Sequence, residues 1–157
     1  MTVGDTQRLL RAALAAVRDC AAQMETQAES LLQALPNTPM DEDLRANALE
    51  SSARLKDTSG RVTFELALLQ AQLDEDKADA ASAVRTLASM DATMMDALAA
   101  VADLADALEK AAERDEEKER AFVLVIEALG VMLQGLEKAK AATETLRAGM
   151  PATRTRA

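Results

Sequence analysis

Apolar side chains fall at Leu10, Leu14, Val17, Ala21, Met24, Ala28, Leu31 and Leu35, alternating steps of four and three residues without a miss. This spacing keeps every apolar group on one stripe of an α-helix and is the heptad pattern of helices packed knobs-into-holes. From Val62 the same stepping runs through Leu66, Leu69 and Leu73. It resumes at Ala80 and continues through Ala83, Leu87, Met90, Met94, Ala97, Val101, Leu104, Leu108 and Ala111, then runs from Phe122 through Val125, Leu129, Met132, Leu136, Ala139 and Thr143 to Leu146. Charge breaks the stripe at Asp76 and again at Asp115 and Lys118, inside "LDEDKAD" and "AERDEEKER". A helix there has no apolar face to bury, so both stretches are predicted to be bundle ends.

Proline and glycine punctuate the remaining boundaries. In "LPNTPMDED", Thr38, Pro39 and Asp41 fit an N-cap, a first-turn proline and an acidic third position. In "RAGMP", Gly149 fits a C-cap and Pro151 a stop, which leaves residues 151–157 as a flexible basic tail. The pattern predicts one all-α domain over residues 1–150, an antiparallel four-helix up-down bundle with coiled-coil-like heptad packing. Its helices span about 5–35, 39–74, 79–112 and 117–148, and rods of such equal length cover one another for about 50 Å at a rise of about 1.5 Å per residue. Neither charged stretch holds glycine or proline, so continuous rods completed by a second copy are the competing architecture. The second helix is the least regular. Ser52 and Ser59 lie on its stripe and Gly60 costs about 1 kcal/mol in a helix interior, so a kink is expected near 57–60.

Composition supports helices and narrows the chemistry. Apolar residues make up 49% of the 157 residues but aromatics only 1%, Phe64 and Phe122, so Ala, Leu and Met carry the core. These residues lose little freedom in a helix, while strand formers are scarce. The net charge of −9 argues against a nucleic-acid backbone as partner. The charge is uneven, at −6 over residues 79–120 and +2 over 121–157. Cys20 is the only cysteine, so no internal disulfide forms and a reducing cytoplasm is the expected location. Asp5, Arg8 and Arg11 interrupt any N-terminal signal sequence, and no apolar run reaches the roughly 20 residues of a membrane span.

The sequence has no histidine, which removes Ser-His and Cys-His nucleophile pairs and the Glu-x-x-His metal sites that helical bundles commonly host. "DEDKADAASAVR" begins like a calcium loop, with Asp74 and Asp76 at positions 1 and 3. It then places Asp79 where glycine is needed and Arg85 where a bidentate acid is needed. No glycine-rich phosphate loop is present, and aromatics interleaved with basic residues are missing. No catalytic residue, metal or cofactor is therefore assigned, and Cys20 is read as a small buried thiol.

Two surfaces remain as candidates. Asp96, Asp103 and Lys110 recur every seven residues on the third helix with Asp106 adjacent, forming an acidic face. The last helix carries, besides its stripe, a second apolar line of Ala121, Leu124, Ala128, Val131 and Gly135, wider than the arc one bundle face requires. Leu124, Ala128, Val131 and Gly135 are the expected contact for a partner helix. In composition alone the long alanine-rich heptads resemble chemoreceptor signalling hairpins and granule-coating phasins, a likeness that assigns no residue. The expectation is a non-enzymatic scaffold, adaptor or assembly subunit that docks protein partners, including a second copy of itself as a homodimer. The alternatives are an acidic inhibitor or immunity-type protein blocking a basic surface through Asp96, Asp103 and Asp106, and an amphipathic coat on a lipid or polymer surface.

Overall fold

The computed structural model describes residues 3–77 and 79–150, and the expected tail over 151–157 lies outside them. Four helices account for nearly all of these residues: α1 (Val3–Ala34), α2 (Glu42–Asp74), α3 (Ala80–Arg114) and α4 (Glu119–Ala148). Short 3-10 turns at Leu35–Asn37 and Glu116–Lys118 join α1 to α2 and α3 to α4. Each helix packs against its neighbours in chain order, α4 closes back onto α1, and α1 touches α3 across the diagonal. This is the antiparallel up-down four-helix bundle, closed within one chain.

The core is the heptad stripe. Every stripe position from Leu10 to Leu35 is buried, and so are those from Ala83 to Leu108 and from Val125 to Leu146. The stripe loses its cover where charge enters it: Leu73 and Phe122 are half-buried and Asp76 is exposed. The α2 stretch is lined differently, for Ser51, Ser52, Thr58 and Ser59 are all buried there. Ser52 Oγ donates to the Ala48 carbonyl at 2.8 Å and Ser59 Oγ to that of Lys56 at 2.8 Å, so these hydroxyls are satisfied by the backbone behind them. The kink expected near 57–60 does not interrupt the helix: α2 is continuous, and Gly60 faces outward into open space.

The ends explain why the chain folds back rather than continuing as rods. After α2 the Asp76 N–H donates to the Leu73 carbonyl and the Lys77 N–H to that of Gln72, at 3.1 and 2.8 Å. With Asp76 in the left-handed region at φ 58°, this is a Schellman stop, a position usually filled by glycine. Asp79 then caps α3 by accepting from the Ser82 N–H at 2.7 Å. Asp115 does the same for the turn after α3, accepting from Glu117 N–H at 3.1 Å.

One boundary differs from expectation. Thr38 does not cap α2. Its hydroxyl donates instead to the Ala34 carbonyl at 2.7 Å, closing the end of α1. Met40 is buried, which draws the connection inward, and α2 starts at Glu42 with Asp41 as its N-cap. Asp41 also accepts from Lys118 Nζ at 2.8 Å, tying the two turns at this end of the bundle together.

Candidate interaction surfaces and a buried carboxyl

The second apolar line of α4 is largely spent inside the bundle. Ala128 and Gly135 are buried, Leu124 is half-buried, and only Val131, at 40% exposure, reaches the surface. A Cβ built on Gly135 would meet the end of the Gln23 side chain at 2.2 Å and the Cys20 Cα at 3.6 Å, so this glycine makes room for the Gln23 amide while the α1 backbone lies at ordinary contact distance. Leu124, Ala128 and Val131 line a shallow hollow with Gln27, Ser30, Leu31 and Ala34 of α1. The breadth of the apolar arc on α4 therefore reflects two neighbours within the chain, α1 on one side and α3 on the other. The external face expected from Leu124, Ala128, Val131 and Gly135 is, in this fold, mainly the α1 seam.

The acidic residues stand where the sequence places them. Asp96, Asp103 and Asp106 are exposed on α3, and none makes a salt bridge among the described residues.

Large apolar side chains do reach solvent at other positions. Phe64 is 65% exposed and Leu68 51% exposed on α2. Val123, Ile126 and Leu133 on α4 and Met95 on α3 are less exposed. Phe64 lies two residues from both Val62 and Leu66, about 200° round the helix from each, so it points directly away from the core. Phe64 and Leu68 are one turn apart on this outward face. The sequence carries the signal: one of the chain's two aromatics sits off the stripe, in the one helix that buries four serine and threonine side chains.

Between α3 and α4 the core holds one carboxyl group. Asp91 is 6% exposed and its Oδ2 accepts from the Thr143 hydroxyl at 2.9 Å, while its Oδ1 is buried without a hydrogen-bond partner. The same hydroxyl approaches the Ala139 carbonyl at 3.0 Å. Burial pushes the Asp91 carboxyl above the ordinary carboxylate range, opposed by the Thr143 hydrogen bond and the charge of Lys140. Cys20 on α1 is buried, and its thiol is pushed up to about 11 by burial and by the nearby Asp91 carboxyl. A thiol so raised is a poor nucleophile, in keeping with the packing role expected of it. Asp91 is not among the residues singled out from the sequence, although Val84, Asp91, Leu98 and Ala105 recur every seven residues and are all buried. Ala88, Ala92, Met95, Lys140, Glu144 and Arg147 surround the carboxyl in a shallow cleft. Arg147 in turn is paired with Glu144.

Among the described residues no three His, Cys, Asp or Glu side chains are grouped to hold a metal ion, and no helix is long and apolar enough to cross a membrane. Comparison with family models, with curated proteins and with solved structures finds no match to this chain. The surfaces themselves are therefore the basis for a functional reading.

Proposed function

We propose that this chain is a non-catalytic interaction module of the cytoplasm, a scaffold, adaptor or assembly subunit that docks protein partners, a second copy included, through outward faces of its helices. The observation that carries this reading is the exposure of Phe64 and Leu68 on α2, at 65% and 51% the most exposed of the large apolar side chains that reach solvent. An exposed phenylalanine loses its contact with water when a partner helix covers it, which makes it a natural anchor for docking. The net charge of −9 also favours protein over nucleic acid as the partner.

A second reading rests on Asp96, Asp103 and Asp106, exposed and without salt bridges on one helix. They would block a basic surface as an acidic inhibitor does. Salt separates the two. Docking by apolar faces persists at about 0.5 M salt, where the Debye length falls to a few ångströms, whereas acidic mimicry weakens sharply. Measuring association at about 0.05 and 0.5 M salt decides between them: persistence supports apolar docking, and loss at high salt transfers the assignment to the acidic face.

A further inference from the structure

The outward face of α2 is complementary to itself. Gly60 is exposed, with nothing within 4 Å of the position a Cβ would take. Phe64, one turn further on, projects from the same face, and the two residues line a surface hollow with Lys56, Asp57, Arg61 and Glu65. A bulky ring and an empty space four residues apart form a knob and a hole. Laid antiparallel against a second α2, each Phe64 covers the Gly60 of the other helix, because the pairing 64 with 60 is unchanged when the two copies are exchanged. That is the requirement of a two-fold interface.

The charges agree with the same register. Arg61 and Glu65 lie on one flank of the face, and antiparallel helices bring like flanks together, so Arg61 of each copy stands two residues, about 3 Å along the axis, from Glu65 of the other in the Phe64–Gly60 register, within reach of both long side chains. Arg61 is held within its own chain only by Asp57 at 3.8 Å, and Glu65 makes no salt bridge among the described residues. The flanking charges Lys56, Asp57, Arg61 and Glu65 also balance, two of each sign. At the outward acids Asp96, Asp103 and Asp106 of α3 a second copy meets like charge. The α2 face is neutral, apolar at its centre and cross-paired at its flank.

We infer that two copies of this chain associate through α2, antiparallel, with Phe64 seated over Gly60 and Arg61 paired with Glu65 across the interface. This inference rests on the docking role proposed above and names its partner and its face.

Sedimentation equilibrium of the full chain and its surface variants tests it. Phe64→Ser and Gly60→Gln each change an exposed side chain outside the core, so thermal unfolding should remain cooperative in both. Each is expected to raise the dimer dissociation constant about tenfold or more, as loss of a central anchor does. Arg61→Glu and Glu65→Arg should each weaken the dimer, and the double swap should restore it. Restoration is a readout that a purely structural role of either residue would not produce. Ile126→Ser on α4 should leave the dimer intact.

A dimer unchanged by Phe64→Ser and Gly60→Gln but broken by Ile126→Ser overturns the α2 assignment and leaves the docking role standing on α4. A chain that stays monomeric to about 1 mM overturns the inference, and the docking role then rests on other proteins. A monomer that co-sediments with phosphatidylcholine–phosphatidylglycerol vesicles, and loses this with Phe64→Ser, overturns it in favour of a lipid surface.

Discussion

Two residues set the local energetics against the trend of their surroundings, and each gives a prediction. Asp91 is a carboxyl group in an apolar seam, with one oxygen bonded to Thr143 and the other unpartnered. Its folded-state pKa lies above the unfolded value, so the folded state binds its proton more tightly. The contribution of the protonated form is fully present below the unfolded carboxylate value and is lost as pH rises through the raised folded one. Asp91→Asn keeps an acceptor for Thr143 and removes the charge. It is expected to make the protein more stable than the parent near pH 8, with the difference shrinking toward about pH 4, read from urea midpoints across that range. Asp76 holds the left-handed position of the α2 stop, where a side chain is disfavoured. Asp76→Gly is therefore expected to stabilise the fold by about 0.5–1 kcal/mol, a rise of roughly 1–4 °C in melting temperature for a chain of this size. The charges of "LDEDKAD" located this stop in the sequence but not its left-handed geometry, because an aspartate holds the position usually left to glycine.

At the scale of the helix, the two glycines of α4 are not equivalent. Gly130 is exposed on α4 with open space where a Cβ would stand, so Gly130→Ala is expected to stabilise by about 1 kcal/mol through helix propensity alone. Gly135 is buried against Cys20 and Gln23, so Gly135→Leu must force α1 and α4 apart and is expected to cost about 1–3 kcal/mol. Chemical unfolding of the two variants side by side checks both signs. The helices themselves were legible because a 4-3 stepping of mostly Leu, Ala, Met and Val, interrupted within the helices only by Ser52, Ser59 and Thr143, leaves little freedom in which face turns inward. Two features were less legible. The start of α2 moved from 39 to 42 because Thr38 had two possible partners and chose the carbonyl behind it. The second line of α4 read as an external face because a sequence pattern shows that a helix is apolar on two sides but not that its own chain supplies both neighbours.

For the molecule as a whole, the bundle shape followed from equal rod lengths and two charged interruptions, while the candidate surface did not. Phe64 and Leu68 fall off every stripe, and an off-stripe apolar residue carries no periodic signal. Only with the core assigned does their outward direction become plain. For Asp96, Asp103 and Asp106 the outward face was legible from their spacing, whereas their lack of salt bridges among the described residues depends on how the helices pack. As proposed, the chain is an interaction module whose apolar docking face on α2 takes a second copy of itself. The most direct measurement is sedimentation equilibrium of the unaltered chain from about 1 to 500 µM at about 0.5 M salt, where charge-driven contacts are screened. A dimer that forms within this range and survives the salt is the predicted result. A monomer at every concentration would contradict self-docking through the apolar α2 face.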